Sequence, residues 1–502
     1  MDKIITLNLL NDFLTNLKDK FVDKTDANST YATKEELNSA KTTADDTYET
    51  KTDAATHLTK IDAETTYATK TELTTAENNA SNTYLSKTDA ADTYVNKTDA
   101  SNTYATKTEV SDTYLSKADA AETYKGLVTV GKTYSVIIDF SLSDPGTMIT
   151  YDNDITISAL STDWFDELGL KLCVLKDGVV QYYLNPSNVA LKLDGSAADI
   201  TTVGNDVMLE VPRMGTFCTW LGANKLKISI TTESNKANFD YRAFSLHQYN
   251  DCDKIYIGRY HAYVANSKLY SSSGKTPIVS DTLDNYRTYA TNRGTGYTDI
   301  GICDDILLQC LYLLIVRHFN SQTTIGRGIC DTSAKHNTGE ANTFGWLNTG
   351  STNKTNGNTA ICCLGIENFW GNIWVWEDGI IKNSSRQFFM AQYADQYNSN
   401  ATGYEYIAQA SPTSNGYMGR VAGVPKFIFM PDASTVAASN RGETTYMCDY
   451  QGINEDITTI ADFGGDWNNG SGVGAFFRAL NSAPSDANAD VGSRLVFKHI
   501  AQ

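Results

Sequence analysis

The first 125 residues of this 502-residue chain contain no glycine, proline, cysteine, tryptophan or arginine, so its 35 glycines, 8 prolines and 9 cysteines all lie further on. The large apolar residues that a private core needs are sparse there too, which excludes an ordinary globular domain from the first quarter. Two physical objects are fused in one chain. Positive charge is the second shortage. With 41 Lys and Arg against 59 Asp and Glu the net charge is −18, divided into −8 over residues 1–125 and −10 over the rest. Neither part has a basic footprint, so no nucleic-acid partner and no anionic-lipid surface are expected. The most apolar stretch, Ile306 to Val316, is about half of the roughly 20 residues that a spanning helix needs, so no membrane insertion is expected. The opening MDKIITLNLL lacks the basic, apolar and small-residue regions of a secretory signal, and the chain is expected to be assembled in a cytoplasm. The cysteines (173, 218, 252, 303, 310, 330, 362, 363 and 448) are odd in number and have no CxxC spacing. Buried thiols are expected of them, in place of a disulfide framework or a zinc site.

What the first quarter does contain is periodic. Ile4, Leu7, Leu10, Leu14, Leu17 and Phe21 recur at steps of 3, 3, 4, 3 and 4, the stripe of an amphipathic or coiled-coil helix. The stripe must bury against copies of itself or a partner, or else dock back on the globular part. Then a repeat takes over: NSTYATK, DDTYETK, ETTYATK, SNTYLSK, ADTYVNK, SNTYATK, SDTYLSK and AETYKGL align on Tyr31, Tyr48, Tyr67, Tyr84, Tyr94, Tyr104, Tyr114 and Tyr124, with His57 in the missing place. The basic step is ten residues and two steps are seventeen. Ten helical residues advance about 1000°, so successive tyrosines drift by about 80° and form no single seam. The extra seven amount to about 700°, which nearly restores the phase. The helical part of each unit is therefore expected in Thr-Asp-Ala, with Thr as N-cap, and the Tyr-x-Ser/Thr-Lys part as an extended link. A unit this short cannot bury its Tyr and Ala alone, so intertwined chains, three in number, are expected; the competing reading is a disordered linker. The helix and its TYxSKTDAxxTY decads resemble the shafts of tail fibres and receptor-binding proteins of bacteriophages and phage-derived injection particles. That resemblance covers residues 1–125 and implies attachment to a tail or baseplate protein through the N-terminus.

After Gly126 the pattern changes. Tyr134, Val136, Ile138 and Phe140 alternate with polar residues, turns fall at Asp144-Pro145-Gly146 and Asp194-Gly195, and strands are expected at 170–175, 179–184, 206–211 and 225–231. One helix is expected over Asp304–Phe319, with acids at its start and apolar residues on nearly every face. Beyond it the chain is rich in Gly, Asn, Ser and Thr, yet Trp346, Trp370, Trp374, Trp376 and Trp467 need burial or a ligand.

Two motifs stand out in that region. In CLGIENFWGNIWVWEDGI, residues 363–380, Ile373, Val375 and Glu377 alternate with Trp374 and Trp376, as in a strand with an aromatic face. In FGGDWNNGSGVGAFFRALNSAPSDANADVGSRLVF, residues 463–497, paired glycines precede Trp467 and a final strand closes the run. The pair resembles the C-type lectin-like fold of formylglycine-generating enzymes and of retroelement-diversified variable tail proteins such as phage major tropism determinants. The match is close over 340–497 and loose over 126–502, and it departs from the family pattern at Ser493, where Phe is usual. The resemblance implies that Gly464, Gly465, Trp467, Gly470, Gly474, Phe476, Gly492 and Arg494 are scaffold. It implies that Asp466, Asn468, Asn469, Ser471, Phe477, Arg478, Asn481, Ser482, Ser485, Asp486, Asn488 and Asp490 face outward as ligand-binding positions. Amides, hydroxyls and carboxylates beside a rigid ring suit such a surface.

Enzymatic readings find little support in the residues. Cys362 and Cys363 are adjacent, so their side chains are expected on opposite faces of a strand and not as a catalytic pair. The six histidines show no metal spacing, no nucleophile elbow or phosphate loop occurs, and Asp304-Asp305 and Glu377-Asp378 read as capping or turn residues. Neither a cofactor nor a metal is expected. The fold class expected is an elongated trimeric helical or extended repeat shaft followed by an α+β C-type lectin-like head. Its parts are an attachment helix over 1–22, the shaft over 23–125, a β-rich entry region over 126–235 and a receptor-binding domain over 236–502. The function expected is that of a homotrimeric tail fibre in the virion, docked on a tail or baseplate protein and adsorbing to a bacterial surface receptor, glycan or protein. Changing Asn468, Asn469 and Phe477 together is expected to abolish adsorption without unfolding the head. A surface or secreted adhesin with the same head, or a formylglycine-generating enzyme, is the alternative.

Overall fold

The alternating pattern from Tyr134 onward becomes sheet in the computed structural model, which describes residues 131–499 apart from 153–154, 249, 349–354, 411, 432–439 and 454–455. The attachment helix and the repeat shaft lie outside the described residues, and the expected trimer with them. The principal strands of the first half are β1 (Thr133–Asp139), β2 (Ile149–Asp152), β3 (Lys171–Lys176), β4 (Val179–Tyr183), β5 (Asp206–Pro212), β6 (Gly215–Trp220), β7 (Lys225–Thr231), β8 (Lys254–Gly258) and β9 (Tyr297–Asp299). Those of the second half are β10 (Trp374–Lys382), β11 (Gln387–Met390), β12 (Glu405–Ala410), β13 (Gly416–Tyr417), β14 (Tyr450–Gly452), β15 (Thr459–Phe463), β16 (Arg478–Ser482), β17 (Val491–Gly492) and β18 (Leu495–His499). Helices are few: α1 (Asp163–Glu167), α2 (Leu283–Thr291) and α3 (Ile302–Val316) are the main ones.

Three sheets organise the strands. A four-stranded sheet runs β2-β1-β7-β6, a six-stranded sheet runs β9-β18-β8-β5-β3-β4, and a C-terminal sheet runs β12-β11-β10-β15-β16-β14-β13 with β17 beside β10. The last strand, β18, returns to the middle of the six-stranded sheet, where Phe497 lies opposite Tyr256 of β8 and Tyr297 of β9. That sheet draws on both sides of position 235, so strands of the entry region and of the receptor-binding region share one hydrogen-bonded layer.

Helix α3 packs against β10 on one side and against β1 and β7 on another, which explains its apolar residues on every face. Each fully buried Leu or Ile there contributes about 1.5–3 kcal/mol from burial alone. It spans a different range from that expected. Asp304 sits inside the first turn with its carboxylate accepting the Gly301 N–H at 3.0 Å, and Arg317, in the left-handed region at φ 55°, ends the helix before His318 and Phe319.

The acidic pairs do more than cap and turn. Lys498 Nζ binds Asp304 at 2.7 Å, and Arg478 bridges Asp305 from α3 and Glu377 from β10, each at 2.6 Å. Arg287 holds Asp378, and Arg293 holds Asp206 at 2.7 Å. The five carboxylates held in these four knots are buried, which makes each cation indispensable to its partners.

Other buried carboxyls have no such cation. Burial pushes Asp299 up to about 8, against hydrogen bonds from Ser493 and the Ile300 and Arg494 amides, and holds Asp449 and Asp462 well above the ordinary range. In the unfolded chain these groups titrate near 4. The folded state therefore keeps protons that the unfolded state has lost, and stability present below pH about 4 drains as pH rises toward 8. Thermal unfolding of the full chain is expected to show a higher midpoint for the head at pH 5.5 than at pH 8.5; an equal or lower midpoint at pH 5.5 contradicts it.

Candidate functional site

The outer surface of the C-terminal sheet is shaped by β15 and the glycine-rich loop at its end. Gly464 and Gly465 take φ values of 90° and 77°. A Cβ on Gly465 would stand 2.8 Å from Val473 and 2.9 Å from Phe477, so the double glycine both turns the chain and lets the next segment lie close. Residues 466–472 are then fixed through their backbone. Asp466 N–H donates to Asn469 Oδ1 at 2.8 Å, and Asn468 N–H donates to Asp466 Oδ1 at 2.9 Å. Gly470 N–H donates to the Cys330 carbonyl, Thr332 N–H to the Trp467 carbonyl, and Gln322 Nε2 to the Gly470 and Val473 carbonyls. With the backbone so engaged, the Asn468 side chain is exposed and those of Asn469 and Ser471 are half-buried.

Beneath this loop runs a row of rings. Trp374 meets Phe477 at 4.5 Å between centroids, Phe477 meets Tyr450 at 6.3 Å, and Tyr450 meets Tyr417 edge-on at 5.4 Å. The first two are buried; the two tyrosines are half-exposed. Burial raises Tyr417, which shares a hydrogen bond with the Ser471 side chain. The rings thus lead from the core to solvent directly under the loop, since a Cβ on Gly472 would stand 3.3 Å from Tyr450 Cβ.

A second loop, 483–490, reaches the same place through β17, which pairs parallel with β10 so that Trp374 N–H donates to the Asp490 carbonyl at 2.9 Å. Burial pushes the Asp466 carboxyl up to about 6, and a hydrogen bond with the Asp490 carboxyl adds to the shift. Asp486 accepts the Ala483 N–H, and the Asn488 carbonyl accepts the Ser280 N–H.

Of the twelve positions expected to face outward, Asn468, Asn481, Ser485 and Asn488 are exposed, and Asn469, Ser471, Asp486 and Asp490 are half-buried. Four are inside. Arg478 is drawn between Glu377 and Asp305, because a guanidinium beside two buried carboxyls is held far more strongly than one in water. Ser482 turns inward to Asp462 at 3.1 Å, Asp466 caps its own loop, and Phe477 is only 8% exposed, pressed on Trp374. Asn481 stands on β16 beside Gly452 of β14.

The scaffold positions are inside or in turns. Arg494 donates to the carbonyls of Gly258, Arg259, Glu367 and Asn368, and lacking a touching carboxylate it is lowered to about 9 by burial. It ties β8 to the 363–380 motif. Ser493, the departure from the family pattern, donates to Asp299 at 2.6 Å. Tyr417 and Tyr450 were not among the expected positions. Cys362 packs with Ile329, Ala341 and Ala360 while Cys363 joins the main core, and burial raises both thiols. Among the described residues no group of three or more His, Cys, Asp and Glu is placed to hold a metal.

The described part is a β-rich unit with few helices. The solved structures to which it is similar are variants of the Major Tropism Determinant. The U1 variant is 14% identical with a TM-score of 0.24, covering 75% of this chain and 74% of that chain. The P3c variant stands at 13% and 0.24, and the M1 variant at 14% and 0.24, with the same coverage. These belong to the proteins that the two C-terminal motifs resemble. No protein-family model matches the sequence, and no curated protein matches it.

Proposed function

We propose that this chain is a receptor-binding tail fibre of a phage-type particle, in the virion tail, whose head adsorbs to a bacterial surface through Tyr417, Tyr450, Asn468, Asn469, Ser471 and Asp490. Residues 1–22 dock on a tail or baseplate protein, and residues 23–125 wind three chains into a shaft. The observation that carries the reading is the row of rings rising from the core to half-exposed tyrosines under a loop pinned by its backbone. Such a surface offers rigid apolar area and adaptable donors at small entropic cost, which is what recognition requires and what a structural cap does not. Three heads on one shaft raise the effective concentration of each weak contact.

The test is adsorption of the full chain to host cells. The variant N468A/S471A is expected to keep the near-ultraviolet circular dichroism of the parent and to lose at least about tenfold in apparent affinity, the scale of one or two lost polar contacts. Unchanged adsorption of the folded variant removes the surface from the reading.

A further inference from the structure

Three consecutive polar side chains just beyond the end of α3 each hold a different segment of the head. Asn320, Ser321 and Gln322 begin the helical turn Ser321–Thr324, which Asn320 caps by accepting the Thr323 N–H on its Oδ1 at 2.9 Å. Asn320 Nδ2 donates to the Glu443 carbonyl at 3.0 Å, and the charge of Glu443 bears in turn on Tyr417. Ser321 Oγ accepts the Ala475 N–H at 3.3 Å. Gln322 Nε2 donates to the Gly470 carbonyl at 3.0 Å and to the Val473 carbonyl at 2.8 Å. The base of this clasp is fixed in the core, since Phe319 is fully buried against Phe476, 5.4 Å between ring centroids, and its N–H donates to the Pro145 carbonyl.

The Gln322 contact has a particular target. Gly470 and Val473 bracket the single turn Gly470–Gly472, which carries Ser471 toward Tyr417. Two of the three residues in that turn are glycine, Gly470 takes φ 65°, and Asn469 before it makes no side-chain capping bond. A Gly-Ser-Gly turn loses more backbone freedom on ordering than other sequences do, so it depends on ties from outside. Gly470 N–H is tied to the Cys330 carbonyl at 2.9 Å, and Gln322 ties the carbonyls at both ends of the turn. A side-chain amide has two hydrogens on one nitrogen, which suits two carbonyls three residues apart; a carboxylate of the same size has none.

We propose that Gln322 is a positioning residue of the recognition surface, one that acts without touching the receptor by fixing the Gly470–Gly472 turn and Ser471 over the tyrosine floor before a ligand arrives. The proposal rests on the receptor-binding reading of that surface. A turn ordered in advance gives up less freedom on binding, so affinity depends on a side chain outside the contact.

The test compares the full chain with Gln322→Ala and Gln322→Glu. Exchange of the Ser471 and Gly472 amides is expected to rise at least about tenfold in Gln322→Ala, while the Ile257 amide, inside the six-stranded sheet, and the melting midpoint stay as in wild type. Gln322→Glu, which sets an acceptor against two carbonyls, is expected to raise exchange further. Affinity for host cells is expected to fall about tenfold in Gln322→Ala, yet by less than about twofold when the same change is made in N468A/S471A, because the residues it positions are already gone. Unchanged exchange in either variant overturns the clasp. Raised exchange with unchanged affinity, or a loss that is the same in both backgrounds, overturns the positioning role and leaves the receptor reading standing. Wild type that does not bind host cells saturably overturns that reading and this proposal with it.

Discussion

Arg478→Met is expected to be the most damaging single substitution in the head, lowering its stability by about 3–5 kcal/mol. The side chain is 1% exposed, donates through Nε and Nη2 to both oxygens of Glu377, and donates again to Asp305. Burial and the neighbouring Glu377 hold the Asp305 carboxyl above its usual range, and the Arg478 guanidinium opposes that shift. Removing the cation leaves two buried carboxyls without the guanidinium that holds both. The fault lies in breaking the set, so E377L/D305L/R478M, which replaces all three groups by apolar ones of similar bulk, is expected to recover most of the loss. Urea denaturation of the full chain followed by tryptophan fluorescence checks both. A loss below about 1 kcal/mol for the single variant, or a triple variant as unstable as the single one, contradicts the assignment. Because Arg478 lies inside the head and not on the proposed surface, the single variant should lose adsorption only where it unfolds.

Tyr417→Ala with Tyr450→Ala is expected to produce the largest loss of adsorption without loss of fold. Buried aromatic anchors at the centre of a recognition surface cost about 2–4 kcal/mol on truncation, or roughly 30-fold to 1,000-fold in affinity. Both rings are already half in solvent, and Phe477 with Trp374 fills the space behind them. The substitution Phe477→Ala belongs to another category of experiment. That ring packs 4.5 Å from Trp374 and touches the space over Gly465, so its loss opens a cavity and costs about 3–5 kcal/mol of stability, which confounds any adsorption measurement.

Local signals were well read from the sequence and non-local ones were not. β7 occupies 225–231 as expected, and β3, β4 and β5 lie within a residue of 170–175, 179–184 and 206–211, since alternation and flanking turns are local facts. The turn at Gly464 and Gly465 was legible for the same reason, because a left-handed backbone position restricts residue choice where it occurs. Arg478 was misplaced because its burial depends on Glu377, a hundred positions away, and on the first turn of α3. Alternation along β16 gave a face without saying which face carries a waiting carboxylate. Tyr417 and Tyr450 were missed because only the parallel pairing of β14 with β16, Gln451 opposite Arg478, brings them under the loop. The boundary at 235 is expected just after the strand at 225–231, yet β8 crosses it in space by pairing with β5.

The central claim is that the head recognises a bacterial surface through the tyrosine-floored loop. Saturation binding of the fluorescently labelled full chain to living host cells, wild type beside Y417A/Y450A, tests it most directly, with melting curves recorded on the same preparations. The expected result is saturable binding by wild type, displaced by unlabelled chain, and a loss of at least about 30-fold by the variant at an unchanged melting midpoint. Equal binding by the two proteins, or binding by wild type that neither saturates nor is displaced, would contradict it.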